Sequence, residues 1–260
     1  MVLAGDINVI TVFALSLVRI LAVFLMIPVF QTSILPGGIR TAVAISMTLV
    51  LYPAMAEQAA LADLAAVRLL GLVIKEAVIG LLIGFGAAVM FWAIESAGFF
   101  IDNQRGSAMA SSVDPLTGSQ TSPLGIFLTQ VLTVFFVMGG GFIILLAVVY
   151  KSYQLFPVFT FFPRMDLDGA VYALALVDRI MAFALVMAAP AMIAMFLAEF
   201  GLGLVSRFAP QLNVFFLAMP VKSAVGILML VLYLGLLQEV WSGGFQDIFR
   251  HLDRLQEVLE

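Results

Sequence analysis

Six long apolar runs dominate the chain: Ile7–Phe30, Ile39–Met55, Ala77–Phe100, Leu124–Tyr150, Ala170–Ala198 and Leu212–Leu237. Crossing the ~30 Å hydrocarbon core of a bilayer takes about 20 apolar residues in a helix. Only the second run, at 17 residues, is clearly short. Lipid offers the backbone no hydrogen-bond partners, so each run must satisfy its own N–H and C=O groups by forming a helix. Soluble domains carry about a quarter charged residues. This chain carries 11% and is 63% hydrophobic, too much apolar surface to leave in water. The expected fold is an all-α polytopic membrane protein of long helical hairpins. No basic residue precedes the first run and no clear cleavage site follows it, so it reads as a retained membrane segment and not a removed signal.

The runs longer than the bilayer minimum predict tilted or kinked helices, or helices that outgrow the membrane. The fourth is 27 residues without a charge, and Gly139-Gly140-Gly141 is a candidate break within it. Two connections are long. One is polar and rich in small residues, "DNQRGSAMASSVDPLTGSQTSP", Asp102 to Pro123. The other spans Lys151 to Gly169, where Pro157 and Pro163 forbid a continuous helix and five Phe or Tyr residues suggest an interfacial or protein-contacting belt. If all six runs span, Lys and Arg number six in the loops on one side and three on the other, which places both termini in the cytoplasm.

Residues 1–237 read as one hydrophobic helical domain and 238–260 as an amphipathic tail. In the tail Trp241, Phe245, Ile248, Leu252, Leu255 and Leu259 recur at spacings of four and three. Such a stripe suits a helix lying on the membrane surface or docked on a partner helix.

Several chemistries are excluded. There is no cysteine, hence no disulfide or thiolate metal site, and the single histidine, His251, cannot build a His-based zinc cluster. Twelve Lys and Arg residues without a basic block, at net charge −4, do not make a nucleic-acid surface. No P-loop, G-x-S-x-G, H-E-x-x-H or Rossmann glycine pattern occurs, so no cofactor is expected. Lys222 and Ser223 are adjacent, and helical neighbours point about 100° apart, so they do not form a dyad.

Charges inside apolar helices are costly and tend to mark function. Arg19, Asp178, Arg179 and Lys222 lie within runs, while Lys75 and Glu76 precede the third, Glu95 lies near its end and Glu199 follows the fifth. They suit either a relay through a stand-alone secondary transporter or channel, or pairs that hold helices or subunits together. A transporter of that kind commonly shows internal repeats, and no convincing repeat is visible. Gly80 and Gly84 form a G-x-x-x-G pair of the kind that lets helix backbones approach closely, within one chain or between chains. The polar loop is either an ordinary solvent loop or a segment lining a water-filled pore, since polar backbone at membrane depth is tolerated only against protein or water.

Four blocks in order, "IDNQRGSAMASSVDPLTGSQTSP", "YKSYQL", "SRFAPQLNVF" and "VKS", resemble the T subunit of the type III secretion export apparatus, the SctT (YscT/SpaR) family, counterpart of flagellar FliR. The resemblance runs nearly end to end, and the loop and "KSYQL" are similar to the injectisome branch. It implies a non-catalytic subunit of a helical assembly in the bacterial inner membrane, within the secretion-system base. One copy would join several SctR-like and SctS-like subunits, with an SctU-like switch protein nearby and unfolded secreted proteins as cargo. Family helices that score as transmembrane need not cross lipid. It also implies that Gly106 to Ser122 is a plug, with Met109 and Val113 as apolar seals among Ser112, Asp114, Pro115 and Gly118. Asp102, Asn103, Gln104 and Arg105 would anchor it. Ser206, Arg207, Pro210, Gln211 and Asn213 would form a helix break, and Arg19, Asp178, Arg179 and Lys222 would contact neighbouring subunits.

Overall fold

The computed structural model describes residues 2–31, 34–59, 66–106, 122–160, 167–209, 211 and 213–259. The plug candidates Met109, Ser112, Val113, Asp114, Pro115 and Gly118, together with Pro210, lie outside them. Every regular element among the described residues is helical: α1 (Val2–Met26), a 3-10 turn (Pro28–Phe30), α2 (Gly37–Ala59), α3 (Ala66–Arg105), α4 (Pro123–Met138), α5 (Gly141–Leu155), α6 (Leu167–Phe208) and α7 (Val214–Leu259).

The expected six spans do not all reappear as spanning helices. Among the described residues three helical stretches are long and apolar enough to cross a membrane: Arg68–Arg105, Val171–Phe208 and Phe216–Glu257, with a fourth if α4 and α5 count as one broken span. The first of these has 38 residues, roughly 57 Å at the helical rise, nearly twice the ~30 Å hydrocarbon core. The fourth apolar run breaks at its glycines. Gly139 closes α4, its N–H bonding to the Phe135 carbonyl, and Gly140 opens α5 at φ +81°, a left-handed conformation open to glycine at little cost. After α5 the chain leaves the helix at Phe156, directly before Pro157. α7 continues without interruption from Val214 through 238–259, the stretch expected as the tail.

The chain divides into two compact units: Met1–Val89 with Gly140–Leu176 and Phe245–Glu260, and Met90–Gly139 with Val177–Gly244. In the first, α1 packs on α2. Its core includes Ile20, Val23 and Phe24 of α1, a helical face, and Ile27 just after it, with Ile79 and Ile83 of α3 and Leu145, Val148 and Val149 of α5. The G-x-x-x-G pair works within the chain. A Cβ on Gly80 would lie 2.5 Å from the Arg19 carbonyl oxygen, and one on Gly84 2.9 Å from that of Val23, so α3 meets α1 at backbone distance. In the second unit Leu128, Leu132 and Phe136 of α4 repeat every fourth residue, and Phe136 meets Phe91 edge to face at 5.4 Å.

Trp241, Phe245, Ile248, Leu252 and Leu255 of the tail stripe are buried inside the chain itself, and so face neither a membrane surface nor a partner helix. Phe245, Ile248, Leu252 and Leu255 belong to the first unit's core. Trp241 packs in the second unit, 5.5 Å from Phe135. His251 is buried with them, its Nδ1 2.5 Å from the Tyr172 hydroxyl and its Nε2 2.9 Å from the Leu82 carbonyl.

Candidate functional site: the base of the polar loop

The long polar loop leaves the C-terminus of α3 and re-enters at the N-terminus of α4, and both ends meet on one carboxylate. Asp102 is 2% exposed. Its Oδ2 accepts a hydrogen bond from the Ser122 hydroxyl at 2.6 Å and another from the Leu124 N–H at 3.0 Å. Its Oδ1 pairs with Arg105 Nη2 at 2.7 Å, one helical turn on.

Local sequence explains the α4 half. Ser122 is the N-cap in an extended conformation, Pro123 opens the helix, and the Ser122 hydroxyl accepts the Gly125 N–H at 2.9 Å. Asp102 takes the Leu124 N–H, so two of the helix's orphan donors are satisfied and an anion sits at the positive end of its dipole. Glycines allow the approach. A Cβ on Gly98 would collide with the Cα and N of Gly125, and one on Gly125 would lie 2.8 Å from the Glu95 carbonyl. On the other side α3 ends at Gly106, whose φ of +92° favours glycine and whose N–H bonds to the Asn103 carbonyl at 3.0 Å.

The four anticipated anchors therefore divide. Asp102 and Arg105 form the tether, and their partners lie in the chain itself. Asn103 is exposed and contributes its carbonyl, and Gln104 is half-buried. Ser122 is the member that loop composition alone did not mark as an anchor; the signal was Ser-Pro immediately before an apolar helix.

Arg19, anticipated at a contact between subunits, is instead 0% exposed inside the first unit. Its guanidinium grips Glu76 with two bonds, Nε to Oε2 at 2.7 Å and Nη2 to Oε1 at 2.9 Å. The remaining donors reach the Ser152 carbonyl at 2.8 Å, the Ser152 hydroxyl at 3.1 Å and the Phe156 carbonyl at 2.7 Å, so all five N–H groups are used. It also lies 4.1 Å over the ring of Tyr153, whose hydroxyl donates to the Ser16 carbonyl. Beside it Lys75 Nζ pairs with Glu76 at 3.0 Å and donates to the carbonyls of Pro157, Val158 and Thr160. Neither Glu76 nor Lys75 stood out in the sequence beyond flanking a run, because no periodicity announces a partner 57 residues away.

In the second unit Lys222 pairs with Glu199 at 3.1 Å. Asp178 is exposed, and Arg179 lies 5.3 Å over the Phe183 ring. Arg19–Glu76 lies in the first unit and Lys222–Glu199 in the second, two separate pairs. At the anticipated break α6 does end at Phe208, with Arg207 in its last turn and the Ser206 hydroxyl donating to the Gly203 carbonyl at 2.7 Å. Gln211 is exposed, and the Asn213 carbonyl accepts the Leu217 N–H at 3.3 Å as α7 begins. Among the described residues no group of three His, Asp or Glu could hold a metal ion.

Known proteins share this sequence over most of its length. The chain is 48% identical over 222 residues to the Yop proteins translocation protein T of Yersinia pestis, covering 85% of each chain. It is 33% identical to the surface presentation of antigens protein SpaR of Salmonella typhimurium, covering 85% of this chain and 81% of that one. It is also 33% identical to the flagellar biosynthetic protein FliR of Bacillus subtilis, covering 84% of each. The family model described as bacterial export proteins, family 1, matches residues 10–248. With that match spanning nearly the whole chain, including both halves of the loop tether, the protein belongs to family 1 of the bacterial export proteins.

Proposed function

We propose that this chain is a structural gate subunit of a type III secretion export apparatus, with loop 106–122 as its plug. It catalyses nothing: it shapes a conduit for unfolded secreted proteins in the bacterial inner membrane. It works beside SctR-like, SctS-like and SctU-like subunits, which supply the rest of the assembly. The names of its relatives, among them translocation and flagellar biosynthetic proteins, support the apparatus. The observation that carries the plug is the Asp102 carboxylate, which ties the two ends of the loop together through Ser122 and Leu124. A closure element needs a fixed mouth, so that the segment between can seal or move aside while the helices stay in place. Long apolar helices supply the walls, and a polar loop is tolerated where it faces a pore and protein.

The test is ionic conductance of membranes holding the assembled complex. Removing part of 107–121 should make them leak, and unchanged conductance would remove the plug. The apparatus itself is tested by gentle-detergent purification of the tagged chain with its neighbouring gene products. Recovery with several copies of two other small hydrophobic proteins is expected; a lone monomer or simple homo-oligomer overturns it.

A further inference from the structure

Beside the tether lies an open cavity of about 530 Å³, contained in the second unit. Its polar lining is Glu95, Ser96 and Ser122, and its apolar lining is Phe99, Phe100, Ile126 and Met181. Glu95 stands seven residues before Asp102, two turns back on the same face of α3. It is exposed, and among the described residues it has neither a cationic partner nor a hydrogen-bond partner. A lone carboxylate within a helix apolar enough to cross a membrane is costly, and such groups ordinarily pair.

We infer that this cavity receives a lysine or arginine side chain from a neighbouring subunit of the apparatus, with Glu95 as its counter-charge. The inference rests on the reading of the chain as an export-apparatus subunit. The lining matches such a side chain from stem to tip. Phe99, Ile126 and Met181 offer apolar surface to the methylene stem, and Glu95 with the two serine hydroxyls accepts from the charged head. A phospholipid with an amine headgroup fits worse, because its phosphate would meet Glu95 with no Lys or Arg among the described lining residues to balance it. A passing unfolded chain also fits worse. Phe99, Ile126 and Met181 in the lining are all exposed large hydrophobics, a surface suited to stable packing and not to a watered conduit.

The position gives the contact a consequence. Ser122 lines the cavity and also donates to Asp102 while capping α4. A basic head that donates to the Ser122 oxygen takes its second lone pair and leaves the hydroxyl donating to Asp102, so the docked subunit touches the loop's mouth through one side chain.

The experiment uses the full complex assembled in membranes, with Phe99 replaced by p-benzoylphenylalanine and the cross-linked peptides identified by mass spectrometry. The expected adduct joins this chain to a segment of another apparatus subunit that carries Lys or Arg. Glu95→Lys should lower recovery of that subunit at least about tenfold, the scale of an uncompensated charge at a buried interface. Replacing the partner's basic residue by Glu should restore it. Glu95→Gln should weaken recovery less while keeping the wild-type melting temperature, since Glu95 holds no partner among the described residues, and this separates lost contact from misfolding. Adducts only with lipid, exported protein or a second copy of this chain, no adduct at all, or undiminished recovery with both variants overturns the inference alone. A wild-type chain that purifies without other subunits overturns the export-apparatus reading, and this inference with it.

Discussion

Arg19 and Glu76 form a two-bond ion pair in which neither side chain is exposed, at 2.7 and 2.9 Å. Removing one partner of a buried pair leaves the other charged and desolvated, at a cost of about 3–5 kcal/mol. Glu76→Gln should be the more damaging variant, because Glu76 serves both Arg19 and Lys75. Thermal melting in detergent should show Arg19→Met and Glu76→Gln far below wild type. Glu199→Gln, at the partly exposed Lys222 pair, should cost about 1 kcal/mol or less.

The tether predicts a local effect distinct from global stability. Asp102→Ala removes the acceptor for the Ser122 hydroxyl and the Leu124 N–H, charge-assisted bonds worth about 1.5–3 kcal/mol each at most. Amide hydrogen exchange in the peptide covering 122–128 should accelerate roughly tenfold or more, with little change in 128–138 beyond it. Ser122→Ala loses the N-cap and should cost about 1 kcal/mol. Equal protection in Asp102→Ala and wild type would show that the tether contributes nothing.

Glycines on α3 should respond by position. At Gly80 an added methyl meets the Arg19 carbonyl, so Gly80→Ala should destabilise by about 1–3 kcal/mol through overpacking. At Gly71, on the same helix, nothing lies within 4 Å of such a methyl. Gly71→Ala should therefore stabilise by about 0.5–1 kcal/mol, from the backbone entropy alanine saves in a helix. Melting temperatures that move in the same direction would contradict the backbone contact between α1 and α3.

The tail's docking can be probed at its histidine. A methyl on Gly86 would overlap the His251 ring, so Gly86→Ala should displace that ring from Tyr172 and the Leu82 carbonyl. Limited proteolysis should then cut within 245–259 faster than in wild type, while His251→Ala should act in the same direction and more weakly. Unchanged cleavage in both would mean that the apolar stripe alone holds the tail.

These sites differ in how far the sequence announced them. Gly139 to Gly141 declared the break between α4 and α5, because only glycine adopts the φ of Gly140 at little cost. Ser122-Pro123 before an apolar run likewise marked a helix start. Hydropathy placed α3 over Ala77–Phe100, yet the helix begins at Ala66 and continues through Asp102 to Arg105. Those polar residues stay helical because Asp102 finds Ser122 and Leu124 across the loop, a tertiary contact that no local pattern encodes. Prolines at 53, 190 and 220 lie inside helices although each removes a ladder hydrogen bond, so a proline did not mark a helix end at these positions. The Arg19 partnership was invisible because a charge in an apolar run shows that a partner is needed and says nothing about which one.

The chain after α5 supplies one more consequence. The carbonyls of Phe156, Pro157, Val158 and Thr160 lie beyond the helical ladder of α5, and the cationic heads of Arg19 and Lys75 take all four. Such groups would otherwise call for solvent, which hydrocarbon does not provide. The molecule has thus internalised its own hydration there, and this turn is indifferent to its surroundings. It can keep one shape while a newly inserted chain sits among lipids and later becomes enclosed by other polypeptides.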